Sequence, residues 1–338
     1  MALRRDLYKV WVLPLGCTVM ATKAIHPARG APCLSARAKL AWLLLLAGLS
    51  AVVQTHAAHR LVIWGGADTA PGPLPIEFQT RVAAVAAGDF HGLALDWDGR
   101  VRSWGDNTFG QTSVPTSLNR QPVLQIAAGN VHSLALLWNG TVLAWGRSSG
   151  QFGDYSQDAV PAGLSKVRTL AAGAAHSLAL KRDGTVVAWG FNQDGQCQVP
   201  AGLGGVVAVA GGMYHSLALR KDGTVSAWGN NFYGQSTVPA GLDKVVAVAA
   251  GGFHSLALRQ NGTVVSWGSY GMMRYAVPAG LSKVIAIATG DYHSLALKSD
   301  GTVVAWGSNS ANQCSVPPGL KRVAAISAHG QLSAAITH

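Results

Sequence analysis

The sequence predicts an all-β fold, a seven-bladed β-propeller built from repeats of about 39 residues. The dipeptide Trp-Gly recurs seven times at spacings of 39 to 44 residues. Each repeat contains short β-rich runs separated by turn residues, and the first and last parts of the repeat region are complementary fragments of one repeat. Repeats of this length with short strands are typical of propeller blades.

Two anchors define the repeat. The Trp-Gly anchor begins at Trp64, Trp104, Trp145, Trp189, Trp228, Trp267 and Trp306. The second anchor, His-Ser-Leu-Ala-Leu or a close variant, begins at His91, His132, His176, His215, His254 and His293. Each His precedes the next Trp of the motif by 13 residues. Variation in repeat length therefore lies between a Trp and the next His, where adjustable loops are expected.

The repeat that begins at Lys244 shows the elements in order. The runs VVAVAA, SLAL and TVVSW are rich in strand-forming residues and are four to six residues long. Asp-Gly or Asn-Gly between the second and third runs favours a tight two-residue hairpin turn. A weaker fourth strand is expected before Val-Pro, which would complete a four-stranded blade.

The two ends of the repeat region predict how the ring closes. The segment from Leu61 to Gly65 is a third run without the first two, and Leu332 to Ile336 is a degenerate second run. We therefore expect residues 58–338 to form one propeller whose N-terminal and C-terminal strands share a blade. A solenoid would instead need polar caps at its ends.

Residues 1–57 are predicted to be a signal peptide or other N-terminal targeting region. The apolar run from Leu40 to Val53 follows Arg37 and Lys39 and precedes a small-x-Ala pattern that ends at Ala57. Cleavage near Ala57 would make the protein secreted or periplasmic. A membrane span needs ~20 apolar residues, so membrane contact is expected only through this segment if it stays uncleaved. The long stretch ahead of Arg37 leaves the translation start open.

The charge distribution argues against a nucleic-acid partner. The chain carries a formal net charge of +11, of which residues 1–57 contribute +6 and the propeller +5. A charge of +5 is modest for a body of that size.

The segment GMYHSLALRKDGTVSAWGNNFYGQSTVPAGL, from Gly212 to Leu242, resembles the repeat of the regulator of chromosome condensation family. The resemblance spans residues 60–338 and implies a seven-bladed propeller used for binding. The founding member is an exchange factor for a small nuclear GTPase and docks on nucleosomes, using a wedge that this sequence lacks. The compact repeat is also similar to a secreted bacterial type, a seven-bladed β-lactamase inhibitor.

The repeated residues are expected to be structural, with no catalytic group, metal or cofactor among them. Catalysis needs an asymmetric constellation, whereas this motif offers the same imidazole in each of six repeats. We expect each His to satisfy backbone groups in loops, and each Trp of the motif to pack between blades.

The repeats differ from one another on one side of the predicted disc. Loops before His and after Trp-Gly share this side, here called the loop face; the Asp-Gly turns and the Pro-Ala-Gly-Leu links share the other, the turn face. Exposed aromatic rings with few charges are typical of protein-recognition surfaces. The loop-face candidates for partner binding are Phe90, Phe109, Phe152, Tyr155, Phe191, Tyr214, Phe232, Tyr233, Phe253, Tyr270, Tyr275 and Tyr292.

The sequence therefore predicts a monomeric, non-catalytic protein-binding propeller, acting as an exported inhibitor, adhesion or scaffold module. One alternative is a hydrolase or lyase with an axial carboxylate site, for which the loop face offers Asp89, Asp106, Asp154 and Asp291. A second alternative is a regulator similar to a guanine-nucleotide exchange factor. The turn face is basic and would suit an acidic polymer, although solvated charge explains it more simply.

Overall fold

A computed structural model describes residues 10–13, 17–20, 59–66, 81–146, 155–269 and 276–338. These residues form seven three-stranded antiparallel sheets and one two-stranded hairpin, with a single short 3-10 turn at Thr116–Arg120. The prediction of an all-β seven-bladed propeller is confirmed. In the described part of the chain, no helix has the length and apolar character needed to cross a bilayer.

The strands follow the repeat along the chain. The hairpin is β1 (Val10–Leu13) and β2 (Cys17–Met20), and β3 is Arg60–Gly65. Six consecutive blades are β4 (Val82–Ala87), β5 (His91–Asp96) and β6 (Val101–Gly105); β7 (Val123–Ala128), β8 (His132–Leu137) and β9 (Val142–Gly146); β10 (Val167–Ala172), β11 (His176–Lys181) and β12 (Val186–Gly190); β13 (Val206–Gly211), β14 (His215–Arg220) and β15 (Val225–Gly229); β16 (Val245–Ala250), β17 (Ser255–Arg259) and β18 (Val264–Trp267); β19 (Val284–Thr289), β20 (His293–Lys298) and β21 (Val303–Gly307). The seventh blade combines β22 (Val323–His329), β23 (Leu332–Thr337) and β3.

The ring closes as the two chain ends predict. Strand β23 pairs with β3, and the register places Leu332 opposite Gly65 and Thr337 opposite Arg60. The last blade therefore contains strands from both ends of the propeller, and the hydrogen bonds between β23 and β3 close the ring.

The predicted fourth strand is absent from the described blades. Where the chain after Trp-Gly is described throughout, following Gly105, Gly190, Gly229 and Gly307, it forms successive turns. In one of them the Gly234 N–H donates to the Asn231 carbonyl and the Thr237 N–H donates to the Gly234 carbonyl. The Asn231 side chain also accepts from the Ser236 N–H at 2.9 Å. These local bonds compete with the pairing of this segment as a fourth strand.

The Asp-Gly hairpins also differ from expectation. In the fourth blade the Gly223 N–H donates to the Arg220 carbonyl and the Arg220 N–H donates to the Thr224 carbonyl, which closes a three-residue loop. Gly223 has a φ of 83°, the left-handed conformation that this loop type needs at its last position. The Asp222 carboxylate accepts from the Thr224 N–H and hydroxyl at 3.0 and 2.7 Å, and this local cap favours the longer loop.

The hydrophobic core lies between blades. Trp267 of the fifth blade packs against Leu217 and Leu219 of the fourth, and equivalent clusters fill the other interfaces. Inner strands carry buried alanines such as Ala208 and Ala247. Small side chains let the inner edges of seven sheets converge on the axis without overpacking.

The N-terminal hairpin lies against the inner strands of the ring. Strand β1 contacts β7, β10 and β13, and β2 contacts β16, β19 and β22. The remainder of the predicted targeting region, including the apolar run at 40–53, lies outside the described residues.

Candidate functional site

The repeated His forms a bridge between neighbouring blades. The His215 Nε2 lies 2.9 Å from the Ser255 hydroxyl, which itself donates to the Gln235 carbonyl at 2.9 Å. Since the hydroxyl proton goes to the carbonyl, the imidazole must be the donor and carries its proton on Nε2. Each motif His thus has a serine of the next blade as a hydrogen-bond partner, which the sequence did not predict.

The same arrangement recurs around the ring. Each motif His is buried and lies within 3.1 Å of a Ser hydroxyl in the following blade. The Gln carbonyl that accepts from Ser also accepts from the indole of the motif Trp, as for Trp267 Nε1 and Gln235 at 2.9 Å. We call this repeated set of His, Ser, Gln and Trp the interblade belt. Sequence analysis assigned no role to its Ser and Gln, although the Ser belongs to the His-Ser-Leu-Ala-Leu anchor and Gly precedes Gln111, Gln196 and Gln235.

The belt is built to hold blades together rather than to transfer protons. Burial lowers the pKa of His215 to about 3 and that of His91 to about 4, so both imidazoles are neutral at neutral pH. The one proton on each ring is already donated to a serine. Within the described residues, no group of three or more His, Cys, Asp or Glu side chains is arranged to hold a metal ion.

The seventh blade differs from the others at both positions of the Gly-x-x-His motif. Elsewhere the Gly allows close packing, since a Cβ on Gly251 would lie 2.5 Å from His254 Cε1 and 2.7 Å from the Gly290 carbonyl oxygen. In the seventh blade Leu332 replaces the His and His329 replaces the Gly. The His329 Nε2 donates to the Asn130 Oδ1 at 2.8 Å. The replacement of the His by Leu332 was visible in the sequence, but the contact between His329 and Asn130 was not.

Seven of the predicted aromatic residues form one connected group on the loop face, here called the aromatic arc. Tyr155, Phe191, Tyr214, Phe253 and Tyr292 follow one another around the ring, with centroid separations of 4.4, 6.1, 6.3 and 5.6 Å between successive members. Tyr233 contacts Phe253 at 5.3 Å, and Phe232 contacts Tyr233 at 4.9 Å.

The arc has a supporting part and a projecting part. Phe191 is buried, whereas Phe232 is 82% exposed and Tyr155 is 38% exposed. The loop under Phe232 is fixed by side chains, because Asn230 Oδ1 accepts from the Phe232 N–H at 3.0 Å and Gln235 Oε1 accepts from the Tyr233 N–H at 2.9 Å. Rings presented on an ordered loop lose little conformational entropy when they bind.

The other predicted aromatic residues are not all placed. Phe90 and Phe109 belong to the first blade, on the loop face, and Phe109 is 37% exposed. Phe152, Tyr270 and Tyr275 lie outside the described residues.

Two of the four candidate axial carboxylates come together. The Asp291 N–H donates to the Gly330 carbonyl at 2.9 Å, and a Cβ on Gly330 would collide with the Asp89 carboxylate. Burial, followed by the charge of Asp89, raises the pKa of Asp291 to about 7, and burial raises that of Asp89 to about 6. Asp106 lies apart in its own loop, where its carboxylate accepts from Gln111 at 2.7 Å. Asp154 lies outside the described residues.

The turn face carries basic side chains that are partly paired with acids. Exposed or half-exposed ion pairs join Arg81 to Asp98 at 2.9 Å and Lys298 to Asp300 at 3.0 Å. The basic residues near this face are Arg81, Lys166, Lys181, Arg182, Arg220, Lys221, Lys244, Arg259, Lys283, Lys298, Lys321 and Arg322. Exposed pairs of this kind add little stability and keep a surface hydrated.

The fold and the belt define a class: seven-bladed propellers whose blades repeat Gly-x-x-His and Trp-Gly. The chain belongs to the family of the regulator of chromosome condensation (RCC1) repeat, whose model matches residues 82–111, 123–153, 167–196, 206–235, 245–269 and 284–313. These six matches together cover more than half of the chain. The family resemblance drawn from the motif is therefore confirmed.

Solved structures share the propeller. Prp20p of Saccharomyces cerevisiae, a protein characterised for its binding to Gsp1p and histones, is 25% identical with a TM-score of 0.70 over 82% of this chain and 91% of that chain. Human WBSCR16 is 20% identical with a TM-score of 0.65 over 83% and 99%. The ectodomain of the Arabidopsis thaliana receptor kinase ACR4 is 20% identical with a TM-score of 0.58 over 74% and 91%. The last two likenesses concern the fold alone. A comparison with curated protein sequences finds no match.

Proposed function

We propose that this protein is a non-catalytic binding module that docks a partner protein on the aromatic arc. The observation that carries the proposal is the arc itself, seven aromatic rings in contact across four blades and the preceding loop. Large aromatic rings dominate the energetics of protein interfaces, particularly where a few anchors project from a supported surface. Phe232 and Tyr155 are the projecting anchors, and Phe191, Tyr214 and Phe253 support them.

The likeness to Prp20p supports a protein as the class of ligand. Prp20p is a propeller of the same family and binds other proteins, Gsp1p and histones. A regulator similar to an exchange factor is accordingly the second candidate function. Docking on the arc would serve an inhibitor, an adhesion module, a scaffold or such a regulator equally well.

Export is the location that the N-terminal sequence supports. An apolar run that follows two basic residues and precedes a small-x-Ala pattern is the arrangement of a secretory signal. N-terminal sequencing of the protein recovered from outside the cytoplasm should find a mature end near Ala58. A full-length protein retained in the cytoplasm would contradict export and favour the regulator.

Capture with paired surface variants tests the docking site. The protein, a Tyr155→Ala/Phe232→Ala variant and a matched Arg182→Ala/Lys221→Ala variant are immobilised, and bound proteins are quantified by mass spectrometry. A partner should be retained by the turn-face variant and depleted about tenfold or more by the loss of two anchors. Equal depletion by the turn-face variant, or capture indifferent to both changes, would contradict docking on the arc.

A further inference from the structure

The two faces of the propeller differ in charge. Within the described loops of the loop face there are five aspartates, Asp89, Asp106, Asp158, Asp194 and Asp291, and no lysine or arginine. The propeller as a whole carries +5, and its described basic residues lie in the strands or on the turn-face side. The described part of the loop face is therefore acidic, whereas the propeller as a whole carries a net positive charge.

Two of these carboxylates flank the middle of the arc. The pKa of the Tyr214 hydroxyl is raised first by burial and then by the charges of Asp291 and Asp194, which places both carboxylates within electrostatic reach of the ring. The Asp194 Oδ1 accepts from the Asn230 Nδ2 at 2.6 Å, so it is oriented by the loop that carries Phe232. Tyr214 itself is only partly buried and is in contact with Phe191 and Phe253.

Aromatic faces beside carboxylates form a binding site for cations. The face of an aromatic ring attracts an ammonium or guanidinium group, most strongly when the group is partly desolvated. A carboxylate at the ring edge adds a charge-assisted hydrogen bond, and the planar guanidinium can stack on a ring while it donates to the carboxylate. An acidic partner would meet repulsion on this face and attraction on the turn face.

We propose that the partner inserts arginine or lysine side chains into the aromatic arc, with Asp194 as a principal counter-charge and Asp158, three residues after Tyr155 in the chain, as a second. The proposal rests on docking at the arc and specifies the chemistry of what docks. Long-range attraction between the acidic loop face and a basic partner also orients the encounter, so association should slow as salt is added.

Selection from a library of random peptides displayed on phage tests the chemistry without a known partner. Selection is performed on the full chain and repeated on the Tyr155→Ala/Phe232→Ala variant, so that only peptides that need the arc are kept. Binding of those peptides is then measured on Asp158→Asn/Asp194→Asn and on Asp183→Asn/Asp222→Asn. The two double variants change net charge equally and lie on opposite faces.

The arc-dependent peptides should be enriched in Arg and Lys, bind roughly fivefold more weakly to Asp158→Asn/Asp194→Asn, and bind normally to the turn-face variant. Arc-dependent peptides without basic enrichment, or with unchanged affinity for Asp158→Asn/Asp194→Asn, would overturn the cationic-partner proposal and leave docking on the arc intact. If no selected peptide depends on the arc, both proposals fail.

Discussion

The two faces of the propeller are built from the same repeat but differ in what repeats. On the turn face, Asp183, Asp222 and Asp300 each cap the same hairpin by accepting from the N–H and hydroxyl of the Thr two residues later. On the loop face, the residue after the motif Gly is Ala174, Met213, Gly252 or Asp291 in successive blades. Repeated chemistry assembles the ring, and the positions free to vary carry the proposed recognition surface.

The largest expected difference in the free energy of unfolding is between alanine variants of two aromatic residues of the fourth blade, one buried between blades and one exposed on the loop face. Trp228 is buried between blades and donates to the Gln196 carbonyl at 2.9 Å, whereas Phe232 is 82% exposed. Trp228→Ala should lower the free energy of unfolding by about 3–5 kcal/mol, and Phe232→Ala should change it by about 0.5 kcal/mol or less. Denaturant unfolding measures both, and similar losses would erase the distinction between the faces.

The belt serine should have the next largest effect. Ser255→Ala removes the acceptor of the His215 Nε2 proton and one donor to the Gln235 carbonyl. Leaving a buried donor unpaired costs about 1–3 kcal/mol. Ser226→Ala, at a half-buried position of β15, is the control and should be close to neutral. An equal effect at both positions would show that the belt contributes nothing of its own.

The sequence predicted the ring because the two anchors recur at a nearly constant spacing along the chain. The motif Trp and His lie 13 residues apart in six repeats. The Trp packs against the preceding blade, and the His forms a hydrogen bond with the following blade. The fourth strand was wrong because local side-chain bonds from residues such as Asn231 compete with strand pairing, and no periodicity reveals that competition. Closure succeeded because Leu61 to Gly65 and Leu332 to Ile336 are recognisable halves of one repeat.

The pH dependence of stability should reflect the buried imidazoles of the interblade belt. Burial lowers the pKa of His215 to about 3 from 6.5. Below pH 6.5 this imidazole is therefore protonated in the unfolded chain but stays neutral in the folded chain until the pH approaches 3. Six motif imidazoles behave alike, and the free energy of unfolding should therefore fall as pH drops from 6.5 towards 4. Thermal melts across that range test the prediction, and a flat profile would contradict it.

The pKa of Asp291 is shifted so that its contribution to stability falls, rather than rises, with increasing pH. Its pKa is raised to about 7 by burial and the Asp89 charge, so the folded chain holds a proton that the unfolded chain releases above its ordinary pKa of 3.8. Stability from this group is present below pH 3.8 and is lost as pH rises through 7. Asp291→Asn should stabilise the protein more at pH 8 than at pH 5 in paired melts. Asp222→Asn, where hydrogen bonds from Thr224 lower the pKa, should show no such gain.

Two glycine-to-alanine variants should give the smallest difference in the free energy of unfolding. Gly223 has a φ of 83° and a Cβ there would lie 3.1 Å from the Lys244 Cα. Gly223→Ala should cost about 1 kcal/mol or more, because an L-residue is strained in that conformation. Gly204 has ample space and no positive φ, so Gly204→Ala should be neutral or slightly stabilising. Reversal of this order in unfolding experiments would contradict the loop assignment.

The contacts within the proposed recognition surface were only partly predictable. The aromatic residues could be assigned to one face from the strand order, but their contacts could not, because they depend on how far each loop leans towards the next blade. Asp89 and Asp291 are 202 residues apart in the chain and meet only because the ring closes. The hydrogen bond between His329 of the seventh blade and Asn130 of the second blade likewise depends on closure of the ring.

Hydrogen–deuterium exchange of the complex with the captured partner tests the central claim most directly. Amides at 212–214, 229–236 and 251–253, which lie on the loop face around the arc, should gain protection on binding. The hairpins at 181–185 and 220–224 on the turn face should exchange as in the free protein. Protection confined to the turn-face hairpins, with the loops around Phe232 unchanged, would contradict the assignment of recognition to the loop face.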